Sequence, residues 1–495
     1  MTTPNGAYMG STDAFSWHME RDPVLRPSIV LAVWLDRVPE WEALVARVER
    51  ITRLIPSLRQ RVIDSPIPVI APRWIYDPDF DLSWHLHRVR APEPRTRDAV
   101  LQLASWPAMD TFDRTRPLWE LTLVEGLEDG RAALIVKVHH SLTDGVSGMR
   151  MLAVIADPKR KHGHLGEMPS APLGEQLDQL TLVTDAAGLL TAQLARLAWR
   201  GAGAAIPAMI RSARDPAGVA RDAAAMAASV YRTAGPSSGA MSPLMRERAT
   251  TRQLAVMEVS LDALKLAAKA ADGTVNDAYL TVVTGGLRRY HERHGACTEF
   301  LRAVVPVNLR TAGDTGWGNK ITLQRLIVPV GEPDWGTRLR VLHHVIEAAR
   351  REPSLPVTAV IAGALNLLPV GYVGGILKHV DFLASNVTGP PAPVYLAGAK
   401  ITGLCAFGPT IGASLNTTLL SYAGICHIGI NIDTAAAPDP DVLLACLQES
   451  LAEVTAPSAA APVPARPAGD PAGQVNGTRP KQATRRRAQA VRQGG

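Results

Sequence analysis

Residues 132–150 read Ala-Ala-Leu-Ile-Val-Lys-Val-His139-His140-Ser141-Leu142-Thr143-Asp144-Gly145-Val-Ser-Gly-Met-Arg. The apolar run before the histidines predicts a buried strand over 132–138, and the composition from Gly145 to Ala156 predicts a helix. Asp144 and Gly145 between them suit a capped helix start and a sharp turn of the backbone. The unit is therefore strand, loop, helix, with two imidazoles where strand gives way to loop. Adjacent strand residues face opposite sides, so His139 and His140 cannot both line one site, and one of them is structural. A neutral imidazole can take a proton from a hydroxyl that is otherwise a poor nucleophile. Asp144 is better placed to hold the loop through an arginine than to touch a substrate.

The same mixture of periods runs outward from this unit. Toward the N-terminus a strand is predicted over 26–36 and a helix over 40–54, with Trp41, Leu44, Val45 and Val48 on one face. On the other side, residues 157–172 are charged and Pro-containing, and 180–234 are rich in Ala and Leu, which predicts helices that connect. A second block opens near Ser242. Thr274 caps a helix over 275–292, strands follow at 301–307 and 321–330, an amphipathic helix at 338–351, a strand at 427–433 and a helix at 439–452. The expected organisation is an α/β chain with an N-terminal domain over 1–165, a helical linker over 166–241, a C-terminal domain over 242–455 and a tail over 456–495. The tail's Ala/Pro/Gly/Arg composition cannot bury enough apolar surface to offset ordering, so it is read as disordered.

Charge excludes one broad class. The chain carries a net +6, and the tail alone, with seven basic residues against Asp470, accounts for all of it. The body is formally neutral, so no generally basic nucleic-acid-binding surface is expected, while the tail remains a solvated polycation able to touch anionic lipid or RNA. Four cysteines (Cys297, Cys405, Cys426, Cys446) without a CxxC pair suit free thiols in a reducing compartment, with no metal site. The first 17 residues have no basic segment followed by an apolar run, so a cytoplasmic location is expected. The uncharged stretch 355–377 could just span a bilayer by length, but Pro356, Pro369 and four glycines interrupt it. Two short buried helices are the expectation there.

Weaker signals point nowhere else. Gly235-Pro-Ser-Ser-Gly239 fits GxSxG but lies in a turn after a helix and not in a strand-to-helix elbow. Asp77, Asp79 and Asp81 lack the glycine and distal Glu of a calcium loop. Neither a Walker loop nor a dinucleotide fingerprint is present.

The run His139 to Gly145 resembles the HHxxxDG motif of the CoA-dependent acyltransferase superfamily, and the chain is most similar to its bacterial wax ester synthase/diacylglycerol acyltransferase family. The resemblance rests also on Pro117-Leu118-Trp119-Glu120, Asn276-Asp277, Pro306-Val307-Asn308-Leu309-Arg310, Gly318-Asn319, Ser385-Asn386-Val387-Thr388-Gly389-Pro390 and Leu415 to Gly424, in that order over residues 11–453. Two positions depart from the family pattern: Asn308 stands where Ser is usual and Thr388 where Pro is usual.

What the resemblance implies is two chloramphenicol-acetyltransferase-like domains, each a mixed sheet with helices, meeting at a central tunnel. It implies His140 as general base, with His139, Asp144 and Gly145 in support, and direct transfer from acyl-CoA without an acyl-enzyme. Asp144 would be held through Arg310. Asn276, Asp277 and Asn386 fall at substrate-side motif positions, with helix or turn capping an equal reading. The implied partners are a long-chain acyl-CoA as co-substrate, no bound cofactor, and diacylglycerol or a fatty alcohol as acceptor, at the inner membrane or lipid-droplet surface. The uncharged runs 355–377 and 401–426 are candidate walls for the greasy chains. Two other readings share the motif: a condensing or esterifying enzyme fed by a carrier protein, and a non-catalytic lipid-binding homologue.

Overall fold

The structure is a computed structural model, described here for residues 8–161, 163, 165–235, 239–308 and 321–456. The first stretch of chain lays down α1 (Ser11–Met19), β1 (Ser28–Leu35), α2 (Trp41–Leu54), β2 (Gln60–Ile63), β3 (Arg73–Tyr76), α3 (Leu82–His85), β4 (Leu86–Arg90), α4 (Arg97–Ser105), β5 (Trp119–Glu125), β6 (Ala132–His139) and α5 (Gly145–Ile155). Two connecting helices follow, α6 (Gln179–Arg214) and α7 (Pro216–Ala234). Next come β7 (Arg252–Ser260), α8 (Leu261–Ala270), α9 (Val275–Arg293), β8 (Phe300–Asn308), β9 (Ile321–Pro329), α10 (Trp335–Arg350), α11 (Thr358–Leu365) and α12 (Val370–Leu377). The chain ends its described part with β10 (Phe382–Thr388), β11 (Tyr395–Leu396), β12 (Ala399–Phe407), β13 (Leu415–Tyr422), β14 (Ile425–Asp433) and α13 (Pro440–Thr455).

Two six-stranded mixed sheets carry the fold, ordered β11-β12-β1-β6-β5-β4 and β7-β14-β13-β10-β8-β9. In the first, β1 and β6 are nearly continuous apolar runs because both faces are covered. Val33, Leu35 and Leu134 look into one core with α2, while Val30, Ala32, Ala133 and Ile135 look into another with α4. The second sheet packs α8, α9, α10 and α13 on one side around Tyr279, Leu287, Leu339 and Leu447. The β13–β14 hairpin turns on Ala423 (φ 48°) and Gly424 (φ 85°), two successive left-handed residues that match the twist of antiparallel strands.

The expected boundary at 242 puts each sheet in its own part of the chain, but the topology is more entangled. β12 pairs antiparallel with β1, Val33 opposite Leu404, so residues 395–407 complete the N-terminal sheet. The seam is close-packed. A Cβ on Gly145 would lie 2.7 Å from Val387 Cγ2, and one on Gly389 2.5 Å from the Ser421 carbonyl oxygen, so α5 and β10 meet where only glycine fits.

One expectation is corrected. Residues 355–377 do form two short helices, but these are not buried as a unit. Val360, Leu367, Leu368 and Tyr372 are exposed. Helices apolar on every side give no periodic signal for which face is inward, so burial could not be read from pattern. Among the described residues no helix is long and apolar enough to cross a membrane.

Candidate active site

β6 delivers the two histidines to the edge of the junction between the sheets. His139 is still in the ladder, opposite Ser28 of β1, and its main-chain N–H donates to the Leu118 carbonyl at 3.1 Å. One residue later the chain leaves the strand, and the His140 N–H donates to the Pro27 carbonyl at 2.9 Å. That departure lets the two side chains take different surroundings.

The ring of His139 is fully buried. Its Nδ1 accepts from the Ser141 main-chain N–H (3.1 Å) and sits 2.6 Å from the Ser141 hydroxyl, closing a clasp across the turn. The edge-on rings of Trp17 and Phe112 lie against it, with centroids at 6.1 and 5.7 Å, and among the described residues Nε2 has no hydrogen-bond partner. Burial, and then the neighbouring His140, Arg114 and Lys137, push its pKa down to about 3. A second proton would place an uncompensated charge among aromatic edges, so this ring is neutral and shapes the loop.

His140 is half-buried. Desolvation lowers its pKa below the usual 6.5, and the Asp144 carboxylate and a hydrogen bond with its own carbonyl oppose that shift. A neutral imidazole that donates to its own carbonyl from one nitrogen carries its lone pair on the other. Asp144 is 1 % exposed and is the N-cap of α5, its Oδ1 accepting from the Ser147 N–H at 2.8 Å. Gly145 begins that helix against Val387. The four motif residues therefore divide into one ring facing a cavity and three groups that fix the loop around it.

That cavity is apolar and lies between the two sheets. His140 shares a space of about 40 Å³ with Phe15 and Met19 of α1, Leu25 and Pro27 before β1, Leu323 of β9 and Ile411. Ile411 holds φ at +44°, a strained conformation for a β-branched residue, immediately before Gly412. Thr12, Phe15 and Leu323 also line a second cavity, about 130 Å³, whose remaining walls include Ile361, Ala362 and Leu365 of α11 and Val373 and Leu377 of α12. The run 355–377 thus supplies cavity wall, as its composition suggested. From 401–426 only Ile411 reaches these cavities, while β12 and β13 are largely core.

Other motif residues fall into place unevenly. Asn386 Nδ2 donates to Asn276 Oδ1 at 3.3 Å, so these two positions meet, one residue from the Val387 that packs on Gly145. Asp277 is buried in a capping box at the start of α9 and accepts from His343 Nδ1 at 2.8 Å, a structural assignment. Trp119 buries its ring against His85 (4.5 Å) and donates Nε1–H to the Leu58 carbonyl, bracing β5 beside β6. Arg310 and Gly318-Asn319, most of the Gly235–Gly239 turn, and the tail from residue 457 lie outside the described residues. Sequence reading missed α1 entirely: Phe15, Met19 and Trp17 all face the histidine loop, but nine residues with weak amphipathicity gave no helical signal.

Comparison with known proteins agrees over most of the described body. The profile of the wax ester synthase/diacylglycerol acyltransferase catalytic domain matches residues 9–279, and that of the family's C-terminal domain matches 317–455. A putative diacylglycerol O-acyltransferase of Mycobacterium tuberculosis is 35% identical over 90% of this chain and 91% of its own. Among solved structures, a wax ester synthase/diacylglycerol acyltransferase from Marinobacter aquaeolei VT8 superposes with a TM-score of 0.60 at 24% identity, covering 90% of this chain and 98% of that one. The starter condensation domain of rhizomide synthetase does so with 0.55 at 14% identity, covering 91% and 93%, which speaks to the fold alone.

Proposed function

The chain belongs to the wax ester synthase/diacylglycerol acyltransferase family and is an acyltransferase, and from that premise we propose that it esterifies diacylglycerol with an acyl group taken from long-chain acyl-CoA, His140 acting as general base. Long-chain alcohols are the alternative acceptor. The observation that carries this reading is the placement of a partly buried imidazole on an apolar cavity, on a loop held by the His139–Ser141 clasp and the Asp144 cap.

In this mechanism the acceptor hydroxyl gives its proton to His140 as its oxygen attacks the thioester carbonyl carbon. The tetrahedral oxyanion collapses, the C–S bond breaks, and the imidazolium returns the proton to the coenzyme A thiolate. No group on the protein is acylated. A base so positioned contributes about a hundred- to ten-thousandfold in rate. The apolar walls exclude water that would compete as acceptor, and both cavities are smaller than the roughly 300 Å³ at which ligand pockets begin, so an entering chain displaces side chains of α1, α11 and α12. Substrates of this kind partition into lipid, which places the enzyme at a membrane or droplet surface.

The test is incubation of purified protein with radiolabelled palmitoyl-CoA and, separately, dioleoylglycerol and hexadecanol. Labelled triacylglycerol is the expected product, with wax ester from the second acceptor. Ester from neither acceptor, with transfer restored when the same acyl group is presented on a carrier protein, would overturn the acyl-CoA reading in favour of a carrier-fed enzyme.

A further inference from the structure

Thr12, Phe15, Ser16 and Met19 of α1 stand at the spacing of one helix face, and all four line the cavity that holds His140. Thr12 and Phe15 also line the larger cavity, with Leu365 of α11 and Val373 and Leu377 of α12. Leu323 of β9 is common to both as well. Among the described residues, these three side chains are the wall that the two spaces share. They are not equivalent. Thr12 is short, and Leu323 sits on a backbone held in the β8–β9 ladder opposite Pro306. Phe15 is the largest of the three and is half-buried against Met19, Leu25 and Val373. An aromatic ring on a helix has two favoured χ1 positions, and moving between them leaves the backbone in place.

The helix that carries this ring is pinned along its length. Asn366 Nδ2 donates to the Ser11 carbonyl at 2.9 Å, and the Trp17 indole N–H donates to Asp64 Oδ1 at 2.7 Å. The Arg114 guanidinium lies 3.7 Å over the Trp17 ring and donates to the Trp17 carbonyl at 3.1 Å. A passage between the cavities therefore opens by rotation of a side chain and not by displacement of α1. We propose that Phe15 is a specificity-determining gate between the two cavities. With its ring across the junction, a chain whose reacting end lies at His140 stops in the smaller space. With the ring turned aside, the chain continues into the larger one. The volumes are about 40 Å³ and about 130 Å³, so the position of one ring separates short chains from long ones. The assignment rests on the reading above that an acyl or alkyl chain reaches His140, and it adds which side chain measures that chain's length.

The experiment measures equilibrium binding to the full chain of S-alkyl coenzyme A thioethers, and separately of free alcohols, with eight and with sixteen carbons. Turnover with the matching acyl-CoA and alcohol series is measured beside it. Relative to the wild type, Phe15→Ala is expected to raise the preference for sixteen carbons over eight by about tenfold, and Phe15→Trp to lower it by about as much, in whichever series occupies the larger cavity. Opposite signs distinguish a gate from simple loss of stability, because a partly unfolded chain loses both lengths alike. Phe15→Leu, the milder truncation, is expected to fall between the wild type and Phe15→Ala. His140→Ala keeps the wild-type length preference in binding while losing turnover. An unchanged preference in both Phe15→Ala and Phe15→Trp, a shift of the same sign in the two, or a wild-type chain that binds neither series overturns the proposal. A length preference in binding that follows residue 15, with no ester formed by the wild type on any acceptor, supports the gate and counts only against the proposed activity.

Discussion

The histidine loop, from His139 to Ser147, is held at several points: main-chain bonds to Pro27 and Leu118, the His139–Ser141 clasp, the Asp144 cap, and the steric stop of Val387 on Gly145. From Leu355 to Leu377, where the chain lines the larger of the two cavities, the wall has no charge, and Val360, Leu367, Leu368 and Tyr372 face outward. In the mechanism proposed above, the first region fixes a single proton-transfer geometry, which catalysis needs because misplacement of a base costs heavily in rate. The other has to admit chains of varying length and shape, and apolar contacts without directional bonds can be remade around different occupants.

If this division is right, substitutions in the two regions change different quantities. The largest effect is expected at His140. His140→Ala removes the proposed base and is expected to lower kcat by about a hundred- to ten-thousandfold, with a thermal unfolding shift far smaller than that loss, because the ring lies at the wall of a cavity. An equally active, folded variant would dismiss His140 from the chemistry. Next is the seam: Gly145→Ala drives a Cβ into Val387, which we expect to destabilise the protein by about 1–3 kcal/mol and to depress turnover as the loop shifts. Adding Val387→Ala should recover most of both losses. A double variant no better than the single one would mean that the contact does not set the loop.

On the soft side, Leu365→Trp fills the larger cavity. The expected result is a preference shift and not an inactive enzyme: kcat/KM for a sixteen-carbon substrate relative to an eight-carbon one falls by about tenfold, in the scale of small apolar size changes. Measuring this across acyl-CoA and alcohol series also tells which chain occupies the space. A uniform loss across all lengths would place Leu365 with the rigid region and erase the contrast.

The rigid region was also the legible one. A strand of aliphatic residues, two histidines and an Asp-Gly turn carry local constraints, namely period-two alternation, a cap, and a residue small enough to turn, and each is satisfied by its near neighbours. The soft wall was legible in composition but not in orientation, since helices apolar on all sides do not say which face is inward. The contributions of Phe15, Met19 and Leu25 to the cavity, and the insertion of β12 beside β1, depend on contacts hundreds of residues apart that no local pattern announces.

The smallest expected effect tests whether the two histidines divide the work. His139 has a folded-state pKa of about 3 against roughly 6.5 unfolded. Above pH 6.5 the ring is neutral in both states and pH has no effect through it. Between about 6.5 and 3 the unfolded chain binds a proton that the folded ring refuses, so stability falls as pH falls, by up to about 1.4 kcal/mol per pH unit from this group. His139→Asn keeps an acceptor near the place of Nδ1 for the Ser141 N–H but does not titrate there. It is expected to be less stable than the wild type at pH 8, with the gap narrowing steadily as urea unfolding is repeated at pH 6 and 5. Its activity should retain a limb below pH 6.5 if, as proposed, that limb belongs to His140, whose pKa is lowered in turn by burial. Parallel stability curves for the two proteins, or loss of the activity limb in the variant, would show that the buried ring and the cavity-facing one titrate together, and the loop could no longer be split into a scaffold and a base.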